Sequence, residues 1–464
     1  MLEELIKASR TQKQALSSAL LYSPSEVSKY LSGQRLPSPA SIQEMADRCA
    51  VFFAEAFWIN GFGEGFDTLF PMLVPFRDRQ ELEDLLRMAL LNAYRISSQA
   101  AAGSLAQRAG SDTLLTGWPD IVRTLTLNMS EAARGKQSLD SYYTLDVYTS
   151  LLERRSLPLP TSWWGGSVNI NILVSPITAL DELNLNKLQL LLEHWISDKA
   201  RYELRFFEGP QVYVQPAVFV PESFTLQMLA SVPGLPAGAF FRSARYLMEY
   251  ELYNLTRHTK PISFSSREAL QAMLQNQEKA MEMLAGCEAI FAFDSVSFFL
   301  SEREMDMVPG DAQNKQLVLD ALTILRNLPI PMVVSYDAVG YFSNTGRAII
   351  PMLGLLELDA LKSVTYMQSY NTLLAQEKHA TVYATRRTFA RATFLLLKDY
   401  LLIMMPLSSE AEQKFLLLPR SMCGYLVNEL KSILQSEAAL LSDELWGHFL
   451  RHLPNMRRDK DLRS

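Results

Sequence analysis

The sequence predicts a mixed architecture: an all-α N-terminal domain followed by a large α+β C-terminal region. Three observations point there. The first sixty residues break into short amphipathic segments, separated by residues that cap and stop helices. From about residue 160 onward, runs rich in β-branched and aromatic residues alternate with segments of helical period. A chain of 464 residues is also longer than one compact core normally grows, which implies two or three domains.

In chain order, Leu2, Leu5 and Ile6 share one face of a first short helix. A second is expected from Thr11 to Leu21, with Thr11 as its cap and Ala15, Leu16, Ala19 and Leu20 facing inward. Ser23 caps a third, and Pro24 takes its first position, where a missing N–H costs nothing. Val27, Tyr30 and Leu31 form its inner face. Gly33 supplies a left-handed stop, Leu36 tucks back, and Pro37 prevents continuation. Ser38-Pro39 opens a fourth helix, with Ile42, Met45, Ala46 and Cys49 pointing inward.

Several short helices with a tight connection between the second and third make a helix-turn-helix unit. The third helix is polar where it faces out, at Ser25, Glu26, Ser28 and Lys29, and Gln34 and Arg35 follow at its exit. Short hydroxyls can approach base edges closely, while lysine, glutamine and arginine suit phosphates or guanine edges. The stretch "VSKYLSGQRLPS", with Leu16, Ser17, Leu20 and Ser23-Pro24-Ser25 before it, resembles the Cro/repressor (XRE) type of helix-turn-helix. Leu21 stands where that family usually turns on a glycine, and Ser17 where it has alanine. The resemblance covers about residues 1–58 and implies a DNA-binding domain that ends there. It implies DNA contacts from Ser25, Glu26, Ser28, Lys29, Gln34 and Arg35, with the phosphate-contacting start of the second helix on Gln12 or Lys13. Within residues 1–60, Lys7, Arg10, Lys13, Lys29, Arg35 and Arg48 are balanced by Glu3, Glu4, Glu26, Glu44, Asp47 and Glu55. A single neutral module binds phosphates weakly, so a homodimer reading two half-sites is expected.

Residues 59–79 read as a connector, rich in glycine, proline and aromatic residues and without a steady period. Gly61-x-Gly63-x-Gly65 lies within it. No strand precedes the glycines and no Lys-Ser/Thr follows, so a phosphate loop is not expected. Residues 80–464 then form the α+β region, divisible into 80–265 and 266–464. Helices are expected at Gln80–Ala101, Asp120–Ala133, Tyr143–Arg154, Leu185–Ala200, Arg267–Leu284, Lys315–Asn327, Ser421–Gln435 and Ser442–Leu453. Strands are expected at Ser167–Ser175, Arg201–Glu208, Gln211–Val220, from Cys287, and within "IPMVVSY" and "KFLLLP". "TFLLLKDYLLIMM" reads as two strands joined at Lys398-Asp399. The two halves look vaguely alike, without a clear tandem repeat.

The composition narrows the chemistry. A net charge of −6 gives no global attraction to nucleic acid or acidic membranes, so any DNA contact must be local. Three distant cysteines suit a reducing, cytoplasmic setting rather than a disulfide framework. Neither a secretory leader nor a membrane span is expected. There is no nucleophile elbow, no P-loop and no metal-ligand spacing, so neither cofactor nor metal is expected. Glu302, Glu304 and Asp306 read as a solvated loop, and Arg386, Arg387 and Arg391 as a surface basic cluster. Trp163 and Trp164 beside two glycines suit either a small-molecule pocket or an interdomain plug, and Tyr336, Tyr341 and Arg347 offer further pocket material.

Together these features lead to the expectation of a cytoplasmic, dimeric transcription regulator. Its partners would be double-stranded DNA and a small-molecule or peptide effector. Two alternatives stay open: an enzyme whose helix-turn-helix targets it to DNA or regulates its own gene, and an interaction scaffold whose N-terminal helices bind a protein.

Overall fold

The computed structural model describes residues 1–101, 112–174, 191, 194, 202–208, 216–229, 236–242, 259–374, 381–386, 391–407, 412–420 and 423–440. The expected helix at 185–200 falls almost wholly outside them. So do the expected helix at 442–453, Arg387, and residues 211–215 of an expected strand. The class is the mixed one the sequence predicts, N-terminal helices followed by a large region of mixed sheets. The chain forms two compact units. One comprises residues 1–174, 199–204 and 213–259, and the other residues 175–198, 205–212 and 260–464.

The N-terminal helices are α1 (Leu2–Ser9), α2 (Lys13–Leu20), α3 (Pro24–Leu31), α4 (Ile42–Asn60) and α5 (Glu64–Leu69). A short strand β1 (Met72–Leu73) and the long α6 (Arg79–Ala101) follow. One apolar core joins them: Leu16, Leu20, Val27, Cys49, Phe53 and Phe57 pack with Phe66 and Phe70, and with Leu82, Leu86 and Ala89 of α6. Residue 58 therefore lies inside α4, and the core continues through the expected connector. There, Gly65 is required by packing, since a Cβ on it would sit 2.9 Å from Ala8 Cα. Helix α2 begins at Lys13 rather than Thr11, with Gln12 as its cap residue. Ala15, expected inward, is exposed, and Ser17 takes the buried place with its hydroxyl donating to Lys13 O at 2.9 Å. That bond lets a small polar side chain sit at a tight helix contact without an orphaned donor.

The rest of the first unit builds on β2 (Thr113–Thr116), α7 (Trp118–Ala133), β3 (Ser138–Thr144), α8 (Leu145–Glu153), β4 (Leu159–Pro160) and β5 (Ser167–Val174). Then come β6 (Tyr202–Glu208), whose residues from Arg205 on belong to the second unit, β7 (Ala217–Val220), β8 (Phe224–Leu229) and β9 (Ala237–Phe241). The expected helix from Tyr143 is corrected here: Tyr143 belongs to β3, which ends at Thr144, and the helix starts at Leu145.

After β10 (Lys260–Pro261), the second unit continues with β11 (Ser263–Ser265), α9 (Ser266–Gln275), α10 (Gln277–Ala285) and β12 (Cys287–Ala292). A single turn α11 (Glu302–Met305), α12 (Ala312–Asn327), β13 (Pro331–Ser335), α13 (Tyr336–Thr345), the hairpin β14 (Arg347–Ile350)–β15 (Gly354–Glu357) and α14 (Ala360–Leu374) follow. The series ends with β16 (Thr381–Thr385), β17 (Thr393–Leu397), β18 (Tyr400–Pro406), β19 (Gln413–Pro419), α15 (Gly424–Ser432) and β20 (Ala439–Leu440). The expected single helix from Arg267 to Leu284 is two helices, broken at Asn276, whose φ of −135° and ψ of 46° are not helical. Residues 302–305, expected as solvated loop, form a helical turn in which buried Glu304 accepts the Ser301 N–H at 2.9 Å.

The two large sheets share one strand plan. Numbered along the chain, their strands are β2, β3, β5, β6, β7, β8, β9, β10 and β11, β12, β13, β16, β17, β18, β19, β20. Across each sheet the order is first, seventh, sixth, fifth, second, third, fourth, eighth. The second and third strands are parallel in both. The second–fifth, fifth–sixth, sixth–seventh, seventh–first and fourth–eighth pairs are antiparallel in both. The β14–β15 hairpin is an addition between the third and fourth strands of the second sheet. The repeat that the residues conceal is thus plain in the topology.

Just beyond β12, Asp294 is buried. Its Oδ1 accepts the Thr393 hydroxyl, while Oδ2 has no hydrogen-bond partner among the described residues. Burial pushes its carboxyl up to about 6, and the smaller pull of Arg391 acts the other way. Cys49, Cys287 and Cys423 are buried and unpaired, each thiol pushed up to about 12 by burial.

Candidate nucleic-acid interface

The site begins at the turn between α2 and α3. Leu21 ends α2 in the left-handed conformation, φ 58° and ψ 33°, the conformation that glycine supplies most cheaply. Its side chain is 77% exposed, so packing gives little in return. Arg48 of α4 closes the turn from below, its Nη1 donating to Leu20 O at 3.1 Å. Ser23 then caps α3, accepting the Glu26 N–H at 3.2 Å, with Pro24 at the first helical position as expected. Val27 anchors α3 in the core, and Tyr30 meets Tyr22 edge-on at 5.9 Å. Gly33 takes its expected positive φ of 72°, and the Arg35 N–H bonds back to Lys29 O at 3.2 Å, folding the exit turn onto the helix.

This scaffold brings the predicted residues to one segment. Gln12 and Lys13 stand at the start of α2. Ser25, Ser28 and Lys29 are exposed on α3, and Gln34 and Arg35 on its exit. The side chains of Gln12, Lys13, Ser25, Ser28, Lys29 and Gln34 make no hydrogen bond or ion pair with a described residue. Glu26 behaves differently. It accepts the Tyr30 hydroxyl at 3.2 Å and lies 3.9 Å from Arg35 Nη1. Burial, and then that bond to Glu26, raise the Tyr30 phenol.

The neutral charge of this segment is unevenly distributed. Glu3 is paired with Lys7, Glu4 with the N-terminal ammonium, Glu44 with Arg48, Asp47 with Arg87 and Glu26 with Arg35. Among the described residues, Arg10, Lys13 and Lys29 remain without an ion pair, against Glu55 alone among the acids of this segment. Exposed pairs are worth little energetically, but each offsets an acid locally, so the uncompensated charge is positive. Arg48 does not stand out in the sequence; its only signal there is Glu44 one helical turn earlier.

The weaker effector candidates separate. Trp163 is 62% exposed and its backbone N–H donates to Asp67 at 3.1 Å. Trp164 is buried with its ring against Gly166, where a Cβ would come within 2.4 Å. Tyr336 opens α13 in the second unit, lining a small hollow of about 230 Å³ with Thr385 and Arg386. Arg347 pairs with Glu357 across the β14–β15 hairpin at 2.7 Å, which gives it a structural use. Among the described residues no group of acidic, cysteine or histidine side chains could hold a metal ion, and no helix is long and apolar enough to cross a membrane.

No protein-family profile and no curated protein matches the chain. Among solved structures, phosphatidylserine synthase of Haemophilus influenzae Rd KW20 overlaps 77% of this chain and 96% of its own, at 10% identity and a TM-score of 0.23. TrmBL2, an archaeal chromatin protein described as showing a novel mode of DNA binding, overlaps 43% of this chain and 76% of its own, at 9% identity and a TM-score of 0.18. Overlaps this loose carry no argument about fold or function.

Proposed function

We propose that this chain is a sequence-specific DNA-binding transcription regulator. In this reading α3 enters the major groove and the larger region dimerises and senses an effector. One observation supports it above the rest: the helix-turn-helix holds six polar side chains without partners among the described residues, along α2, α3 and the exit turn, while its one acid, Glu26, lies beside Arg35. Ser25 and Ser28 would meet base edges, and Lys29, Arg35 and Lys13 would meet phosphates. Two such helices about 34 Å apart in a homodimer would match successive turns of the groove.

The test is a binding selection from genomic fragments at moderate salt, comparing the wild type with the Lys29→Ala/Arg35→Ala variant. An inverted repeat should be enriched by the wild type only. The salt dependence of binding should become shallower in the variant, by about 0.9 for each phosphate it no longer neutralises. No enrichment at any salt would overturn the proposal.

A further inference from the structure

The first unit holds a second feature that the helix-turn-helix does not use. A cleft of about 530 Å³ opens between the chain after β1, α6, the start of α7 and the end of α8. That volume suits a small molecule. Its apolar lining includes Phe76, Leu85, Trp118 and Val122, and four arginines (Arg77, Arg123, Arg154 and Arg155) stand over it against Glu81 and Glu153.

The arginines are held in different ways. Arg154 lies over the Trp118 ring, 4.6 Å from its centroid. Arg77 donates to Arg154 O at 3.2 Å. Arg123 is paired with Asp84 and lies 3.8 Å from Asp120. Arg155 is exposed, sits at a positive φ of 53°, and its side chain makes no hydrogen bond or ion pair with a described residue. An unpartnered fork beside a stacked arginine–tryptophan pair combines two preferences, planar oxyanions and flat rings.

We infer that this cleft binds an organic anion, a carboxylate or phosphate carried on a flat apolar body, with Arg155 as its principal anchor. The cleft is wired to the DNA-binding helices. Asp84, the partner of Arg123, also accepts Arg87 Nη1 at 2.9 Å, and Arg87 Nε lies 2.6 Å from Asp47 of α4 with its N–H off the line of a hydrogen bond. The neighbour of Asp47 is Arg48, which holds the α2–α3 turn. An anion that draws Arg123 from Asp84 thus perturbs a chain of ion pairs ending at that turn. The site itself needs nothing from DNA; calling the anion an effector rests on the function proposed above.

The experiment is calorimetric titration of the full chain with phenyl phosphate, alongside inorganic phosphate and phenol, the two halves of that probe. Phenyl phosphate should saturate one site, with inorganic phosphate at least about tenfold weaker and phenol weaker still. Arg155→Ala should weaken it about tenfold or more at an unchanged melting temperature, with Arg155→Lys falling between. Hydrogen exchange in peptides over Lys13–Leu31 should change on saturation. No saturation by about 10 mM, equal binding of either half, or full affinity in Arg155→Ala overturns the site. Binding without the exchange response overturns the wiring alone, and neither result depends on an operator being found.

Discussion

The buried carboxyl of Asp294 gives the second unit a pH dependence that can be worked through. Its native pKa stands at about 6 against an ordinary 3.8, so the folded chain keeps the proton at pH values where the unfolded chain has released it. The stability from the protonated group is present at low pH and is lost as pH rises through the window between those two values. Integrated between about pH 4 and pH 7.5, the loss is about 2–3 kcal/mol. Asp294→Asn abolishes it while keeping an oxygen for the Thr393 hydroxyl. The new amide NH₂ stands where Oδ2 has no partner, a cost of about 1–3 kcal/mol that does not vary with pH. The assay is urea unfolding at both pH values, read by pulsed hydrogen exchange in peptides over Cys287–Ala292. The wild type should lose about 2–3 kcal/mol relative to the variant on going to the higher pH. A difference constant within about 0.5 kcal/mol would refute the assignment of a buried, proton-holding carboxyl.

Other outcomes are expected from single positions. Leu21→Gly removes a left-handed strain of about 1–2 kcal/mol against a glycine entropy cost of about 0.5–1 kcal/mol, so urea unfolding of the first unit should show a small gain. A clear loss would mean that Leu21 packs more than its exposure indicates. Gly65→Ala forces α5 away from Ala8 and should cost about 1–3 kcal/mol, with Ala8→Gly rescuing it only partly because the closest approach is to Ala8 Cα. The three buried thiols should be silent to a thiol reagent in the native chain and react together on unfolding; a fast-reacting native thiol would contradict their burial.

Elements with strong local punctuation were legible in the sequence. Lys398-Asp399 interrupts two apolar runs, and β17 and β18 meet there. The stripe Leu82, Leu85, Leu86, Ala89 and Leu90 gives α6 its buried face. The cap, proline and glycine around α3 fix that helix almost to the residue. The features that stay hidden depend on tertiary context. β3 runs directly into α8 with no turn between them, so Tyr143 looks like part of the helix. The hairpin of β8 with β9 escapes notice because its strands are short and carry no clear alternation. The left-handed state of Leu21 cannot be inferred from a leucine, and the arginine cleft draws on segments far apart in the chain with no motif linking them.

The shared strand plan lets this polypeptide serve as its own alignment. Placing the closing pairs of two hairpins on one another, Val220 with Phe224 and Leu396 with Leu401, makes Ala217 the counterpart of Thr393. Pairing across to the second strands then makes Thr144 the counterpart of Ala292, and Asp146 that of Asp294. The threonine has changed sides. In the first sheet the Thr144 hydroxyl accepts the Ala217 N–H at 3.0 Å, and in the second the hydroxyl belongs to Thr393 and serves Asp294. The aspartate at this address stands in the first turn of a helix in the first sheet's plan and is buried in the second's. Substitutions borrowed from one sheet into the equivalent position of the other would test how far the shared strand plan fixes the residue each position accepts.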